Sequence, residues 1–93
     1  MIQHNRYFED QVQSLGFEQA QPLSVGVMAT GEYRFTTAAA EVMTVVRGNL
    51  TILLAGASEW QSYDDGQSFN VPENSYFDVK VAQPTAYLCE YAN

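Results

Sequence analysis

The chain has 93 residues, of which 46% are hydrophobic and 13% aromatic, and its formal net charge is −7. This length fits one compact domain, so we expect residues 1–93 to form a single domain. The acidic balance excludes a general nucleic-acid-binding role and binding to anionic membranes, and no apolar run approaches the roughly 18 residues that a membrane span needs.

The first part of the chain carries two competing patterns. Phe8 and Val12 recur at helical spacing behind Asn5, a residue type that caps helices. Further on, apolar and small polar residues alternate as they do in strands. We therefore predict one turn of helix over residues 5–8 and a strand over residues 11–18.

From Gly31 onward, apolar residues alternate with polar ones in several short runs. Such alternation, rich in β-branched and aromatic residues, is typical of strands with one buried face. Turn-forming residues separate the runs at roughly 8–12-residue intervals, which favours a sandwich or a barrel. We therefore predict an all-β chain. The clearest runs are 31–36, 49–54, 68–71, 77–81 and 87–91.

The compartment is indicated by the start of the chain and by its cysteine content. Residues 1–6 lack the basic-then-apolar layout of a signal peptide. Cys89 is the only cysteine, so no internal disulfide can form, which fits a reducing compartment. We expect a cytoplasmic protein in which Cys89 packs as a small hydrophobic residue.

Two spaced patterns resemble the motifs of cupins, small β-barrels that hold a metal on three histidines and a glutamate. Glu41 and Gly48 are separated by six residues, as at the end of the first motif, and Gly66 and Pro72 by five, as in the second. The histidines themselves are missing. Depending on the spacing used, the first two histidine positions hold Phe35 and Thr37 or Arg34 and Thr36, and the third holds Phe77.

The missing histidines bear on metal binding. A cupin-type metal needs about three or four nitrogen or carboxylate ligands at one point. The single histidine, His4, lies near the N-terminus, and among the ligand positions only Glu41 can coordinate. We therefore expect no metal and no other cofactor. The expected fold is a small cupin-like jelly-roll barrel with a pocket lined by a carboxylate, a hydroxyl and two aromatic rings.

A closer resemblance covers almost the whole chain. It rests on the runs 24–28, 31–33, 43–45, 69–72 and 87–89, with further matches near the N-terminus. In these residues the sequence resembles the cupin-type pyrimidine/purine nucleoside phosphorylases. The resemblance implies a metal-free cytoplasmic homodimer that converts nucleosides and inorganic phosphate to free base and ribose 1-phosphate. Two positions depart from the family pattern, Glu73-Asn74 after Pro72 and Glu90 in the last strand.

The alignment with cupins assigns the inward-facing positions and hence the candidate site. An inward carboxylate is costly unless it is used, so Glu41 is the leading catalytic candidate. It would accept hydrogen bonds from ribose hydroxyls or, if protonated, donate to the base; a solvated glutamate at a loop end is the alternative. We assign the Thr37 hydroxyl as the second catalytic group. The predicted substrate-binding residues are Tyr33, Phe35, Arg47, Ser75 and Phe77.

These substrate-binding assignments follow from side-chain chemistry. Aromatic rings stack on any base, which agrees with broad specificity, although each ring alone also suits a core. Arg47 is in phase with Glu41, and its guanidinium matches phosphate oxygens; backbone amides of a turn or a surface role for Arg47 are the alternatives. Arg34 and Lys80 are expected to face outward. A small-molecule sensor or carrier, or a structural interaction module, would fit the same residues.

Overall fold

The computed structural model describes residues 1–92, which form ten β-strands and no helix of the length and hydropathy required to cross a bilayer. This confirms the predicted all-β class. The strands are β1 (Gln3–Tyr7), β2 (Val12–Gln19), β3 (Gln21–Met28), β4 (Gly31–Thr36), β5 (Glu41–Arg47), β6 (Asn49–Leu54), β7 (Gln61–Asp64), β8 (Ser68–Val71), β9 (Tyr76–Val81) and β10 (Thr85–Tyr91).

The strands form two antiparallel sheets that enclose one core. The six-stranded sheet has the order β1-β2-β3-β10-β5-β8, and the four-stranded sheet the order β4-β9-β6-β7. Alternate residues of each strand point inward, as the period-two pattern requires. On β5 these are Met43 and Val45, and on β9 Phe77, Val79 and Val81, all of them buried. The buried Cys89 on β10 confirms its predicted place in the core.

The predicted helical turn over residues 5–8 is wrong, because residues 5–7 belong to β1. This strand pairs with β2 from Gln3 opposite Gly16 to Tyr7 opposite Val12. The hairpin between them is closed by Phe8, Glu9 and Asp10, which all have positive φ angles of 52° to 69°. The helical spacing of Phe8 and Val12 arises from the reversal of the chain at this turn. The strand predicted over residues 11–18 is present as β2.

The predicted inward orientation of Arg47 is also wrong. The pairing of β5 with β10 shifts between Ala86 and Tyr87, so that Ala86 lies opposite Arg47 but Tyr87 lies opposite Val45. This bulge interrupts the alternation, and both Val46 and Arg47 are exposed. Arg34 and Lys80 are exposed as predicted.

The bulge is followed by a turn at Gly48. This residue has a φ of 122°, and a Cβ placed there would collide with the side chain of Thr85. Glycine therefore satisfies both the backbone conformation and the close approach of β10. The chain turns here from β5 into β6. Glu41 begins β5 and Arg47 ends it, so the two residues lie at opposite ends of this strand.

Candidate functional site

An inner cavity of about 100 Å³ lies between the sheets. It contains one carboxylate, several aromatic rings and a thiol, and strands from both sheets contribute to it. The residues that line it are Tyr7, Ser14, Met28, Phe35, Thr36, Glu41, Met43, Phe77, Tyr87, Cys89 and Tyr91. The structure therefore brings together three residues of the predicted site, Phe35, Glu41 and Phe77.

Glu41 begins β5 and places its carboxylate at the edge of the inner cavity. The Cys89 thiol donates a hydrogen bond to Glu41 Oε1 at a distance of 3.5 Å. Burial raises the pKa of the Glu41 carboxyl, and the thiol hydrogen bond opposes this rise without cancelling it. No Lys or Arg within residues 1–92 forms an ion pair with Glu41. A partly desolvated and unpaired carboxylate is costly, which favours a functional role.

The other polar groups of the inner cavity are neutral. Burial raises the pKa of Tyr87 to about 12, and it also raises the pKa of Tyr91 and of Cys89. All three groups therefore keep their protons at neutral pH. The Tyr91 hydroxyl shares a 3.1 Å hydrogen bond with the Ser24 hydroxyl. Such groups are suited to hydrogen-bonding a neutral polar ligand such as a sugar.

Except for Glu41, the metal-ligand positions of cupins are filled here by residues that do not coordinate metals. Phe35 and Phe77 stand at two of these positions, and their rings stack at a centroid distance of 5.4 Å. Over the 92 described residues, no three His, Cys, Asp or Glu side chains come together in a possible metal site. At the inner cavity the donor set consists of Glu41 and Cys89, which is short of the three or four ligands required.

Two open clefts adjoin the inner cavity. The N-terminal cleft, about 600 Å³, is bordered by residues of β1, β2 and β3 and shares Tyr7 and Tyr91 with the inner cavity. The side cleft, about 580 Å³, is bordered by Val42 and Glu90 among others and shares Glu41 and Tyr91. Small-molecule sites typically measure about 300–1,000 Å³, so a nucleoside-sized ligand needs one of these clefts in addition to the inner cavity.

Thr37, predicted as a catalytic residue, has its hydroxyl committed to the backbone. Thr37 Oγ1 donates to the carbonyl of Pro72 at 2.7 Å and accepts from the amide of Ser75 at 2.9 Å. The amide of Thr37 in turn donates to the carbonyl of Ser75. Neither Thr37 nor Ser75 lines the inner cavity or the two clefts. The pair ties the loop before β9 to the end of β4.

The loop held by Thr37 contains Asn74, which has a left-handed backbone conformation. Asn74 has a φ of 50°, and its amide donates to the carbonyl of Ala38 at 3.2 Å. Asparagine tolerates this left-handed conformation better than most residues. Asn74 is therefore compatible with the left-handed backbone of this turn.

Tyr33 and Arg47 also lie outside the inner cavity. Tyr33 is buried in the core, and its hydroxyl donates to the carbonyl of Ala29 at 2.7 Å. Arg47 lies six residues along β5 from Glu41, which corresponds to about 20 Å at roughly 3.4 Å per residue. It borders none of the three spaces described above. Within one chain, Arg47 and Glu41 are therefore too far apart to hold the same small ligand.

The remaining cations of the chain are engaged elsewhere. Arg34 forms two hydrogen bonds with Asp78, at 2.7 and 3.1 Å. Arg6 pairs with Asp10, and Lys80 lies 4.2 Å from the centre of the Trp60 ring. None of these borders the inner cavity or either cleft.

Several residues of the inner cavity were absent from the predicted site. Tyr87, Cys89 and Tyr91 could have been found, because the alternation along β10 predicts that they share its inward face. Tyr7 gives no such signal, because it falls within the helical turn predicted over residues 5–8. Ser14 lies in the predicted strand over residues 11–18, but a small polar side chain does not indicate the inward face of a strand. The position of both residues depends on the pairing of β1 with β2, which brings them to the cavity from outside the motif region.

Comparison with known proteins identifies the family. The family description "pyrimidine/purine nucleoside phosphorylase" matches residues 2–91. A protein of that name from Tolumonas auensis is 59% identical over 92 residues, covering 98% of this chain and 99% of its own length. Another from Erwinia tasmaniensis is 54% identical over 93 residues, covering 98% and 97% respectively.

Solved structures agree on the fold. A Vibrio parahaemolyticus protein described as of unknown function superposes with a TM-score of 0.96 at 50% identity, covering 99% of both chains. A putative ethanolamine utilization protein, EutQ, from Salmonella typhimurium gives a TM-score of 0.76 at 14% identity over 95% of this chain and 76% of its own, a likeness of fold alone. The fold is cupin-like, and the chain belongs to the pyrimidine/purine nucleoside phosphorylase family.

Proposed function

We propose that this protein catalyses the phosphorolysis of purine and pyrimidine nucleosides to the free base and ribose 1-phosphate. The names of its relatives support the class of enzyme. The observation that carries the proposal is the unpaired Glu41 carboxyl beside the stacked rings of Phe35 and Phe77, where a sugar and a base would both find partners.

The reaction places specific demands on this site. A phosphate oxygen forms a bond to C1′ of the ribose while the bond from C1′ to the base nitrogen breaks. The electron pair of that bond leaves with the base, which takes up a proton from solvent or from the incoming phosphate. Positive charge develops on the ribose as the bond breaks. The Glu41 carboxylate would stabilise this charge, because it acts in a partly desolvated site where electrostatic effects are strong.

Substrate binding would combine stacking with neutral hydrogen bonds. The base would lie against Phe35 and Phe77, since every base offers an aromatic face. The ribose hydroxyls would contact Glu41 and the hydroxyl of Tyr91, which Ser24 orients. Stacking contacts the face of the base and depends little on its hydrogen-bonding edge, so both purine and pyrimidine nucleosides would be accepted.

The other residues predicted for the site have different proposed roles. Thr37 and Ser75 would position the loop beside β9 rather than touch the substrate, and Tyr33 would support the aromatic cluster through the core. Arg47 remains the proposed phosphate ligand. Because Arg47 lies far from Glu41 in the same chain, it would bind phosphate at the Glu41 site of another copy of the protein. We further propose that the enzyme is cytoplasmic, homodimeric and independent of metals.

One experiment separates the enzyme from a sensor or carrier. The purified protein is incubated with uridine and with inosine, each with and without inorganic phosphate. Appearance of uracil and hypoxanthine only when phosphate is present supports the proposal. No release above the blank for any nucleoside, with retained nucleoside binding, would instead support a carrier. Unchanged activity after treatment with a chelator, with metal analysis of the protein, tests metal independence.

A further inference from the structure

The outer face of the six-stranded sheet is unusually apolar. Its central row pairs Leu15 with Val25 and Val25 with Leu88. Large hydrophobic side chains on this face are between 37% and 54% exposed. They are Leu15, Phe17, Val25, Val27, Val42 and Val46. Exposed apolar side chains that adjoin one another across several strands mark an interaction surface.

The outer face of the four-stranded sheet is different and serves as an internal comparison. There, Glu32 lies opposite Lys80 and Arg34 opposite Asp78. The Arg34–Asp78 pair is bidentate. The protein therefore has one outer sheet face adapted to water and one that is not.

Charges at the two ends of the apolar face indicate which partner covers it. Arg47 lies opposite Ala86, and Glu90 lies four residues further along β10, a separation of about 13 Å at roughly 3.3 Å per residue. A two-fold axis perpendicular to the strands, in the plane of the interface, would place the Arg47 end of one copy over the Glu90 end of the other. An axis parallel to the strands would oppose like charges. The face is thus self-complementary for a second copy in one orientation.

This orientation also supplies what the candidate site lacks. The side cleft is bordered by Glu41, Val42 and Glu90, and no cation of the described chain reaches it. In the antiparallel arrangement the partner's Arg47 would face the row that contains Val42 and Glu90. Packed sheets lie about 10 Å apart, a distance that an extended arginine side chain largely spans.

We propose that two copies pack through the outer faces of their six-stranded sheets in antiparallel orientation, so that each subunit's Arg47 binds phosphate at the rim of the other subunit's Glu41 cleft. The interface follows from the apolar face and its charges, whereas the phosphate role of Arg47 rests on the proposed phosphorolysis.

The interface is tested by sedimentation velocity over a range of protein concentrations. Val25→Lys and Leu15→Lys place a charge in the central row and should convert the dimer to a monomer with an unchanged circular dichroism spectrum. Tyr76→Lys makes the same change on the outer face of the four-stranded sheet and should leave the dimer intact. A monomeric wild-type protein, or dimers that persist in both central-row variants, would overturn the proposal.

The orientation is tested by exchanging the charges. Arg47→Glu and Glu90→Arg should each weaken the dimer, and the double variant should restore the wild-type dissociation constant to within about threefold, because the pair is re-formed with reversed sign. Additive weakening in the double variant would contradict the antiparallel arrangement. Neither of these two tests depends on catalytic activity.

The shared site is tested by mixing Glu41→Gln with Arg47→Ala subunits at low phosphate. Arg47→Ala should raise the KM for phosphate roughly tenfold or more and leave the KM for nucleoside unchanged, because a charge-assisted contact is lost. After exchange, about a quarter of the wild-type activity should return, since half of the dimers are mixed and each has one complete site. No recovery in verified mixed dimers, or a normal phosphate KM in Arg47→Ala, would refute the role of Arg47.

Discussion

Replacement of Glu41 by glutamine isolates the charge at the centre of the proposed site. The side chain keeps its length and can still hydrogen-bond, but it can no longer stabilise a positive ribose. A full charge at about 4 Å with an effective dielectric constant near 20 contributes about 4 kcal/mol. Glu41 is only half-buried, and solvent reduces this figure. We therefore expect kcat/KM to fall by about 10²- to 10³-fold, since each 1.36 kcal/mol corresponds to a factor of ten.

The stability of the Glu41→Gln variant should not fall with its activity. Burial raises the pKa of Glu41 in the folded protein, so its ionised form is disfavoured there. Such a group stabilises the fold most below its unfolded pKa and loses this contribution as pH rises through its folded pKa. At neutral pH, Glu41→Gln should leave the melting temperature unchanged or slightly higher.

The assay compares base release from uridine and inosine with thermal unfolding of the same preparations. Glu41→Asp, which keeps the charge but shortens the side chain, should lose less activity than Glu41→Gln. A Glu41→Gln enzyme with activity within about threefold of wild type would refute the electrostatic role assigned here. A large fall in its melting temperature would refute the idea that the buried carboxylate is costly to the fold.

Further predictions address protonation, stacking and the loop beside the site. Wild-type kcat/KM should rise with pH through the raised pKa of Glu41, because the ionised form is the active one; a pH profile in which Glu41→Gln retains that limb would contradict this. Phe35→Ala should raise the KM for uridine and inosine alike, by about tenfold if stacking contributes 1–3 kcal/mol, while selective loss of one substrate would argue against base stacking. Thr37→Val removes both backbone contacts of the hydroxyl and should destabilise the protein by about 1–3 kcal/mol in urea unfolding, whereas Thr37→Ser should be close to wild type. Equal stability of the two variants would show that the hydroxyl does not hold the loop.

Much of the fold follows from local sequence pattern. The alternation in β4, β6, β8, β9 and β10 is sufficient to predict strands, because a half-buried strand repeats every two residues. The alignment with cupin motifs then gives the inward positions of Phe35 and Phe77. The spacing between Glu41 and Gly48 matches the end of the first cupin motif and identifies Glu41 as the carboxylate of the candidate site. These are short-range regularities, and the structure reproduces them.

The errors arise where strand pairing and loop contacts decide the outcome. The bulge opposite Ala86 turns Arg47 outward, and nothing in the residues of β5 alone signals the extra residue. Likewise, Tyr7 reaches the inner cavity because β1 pairs with β2, a contact that competes successfully with weak helical spacing. The role of Thr37 depends on the backbone of a loop 35 residues away. Register and loop contacts of this kind are tertiary effects.

The central claim is that phosphate, and not water, receives the ribose. It is tested most directly by incubating the enzyme with uridine and inorganic phosphate and following the products by ³¹P NMR. We predict a new phosphate-ester resonance from ribose 1-phosphate that appears in step with uracil, one molecule for each. Uracil accompanied by free ribose, with the inorganic phosphate signal unchanged, would contradict the proposed phosphorolysis.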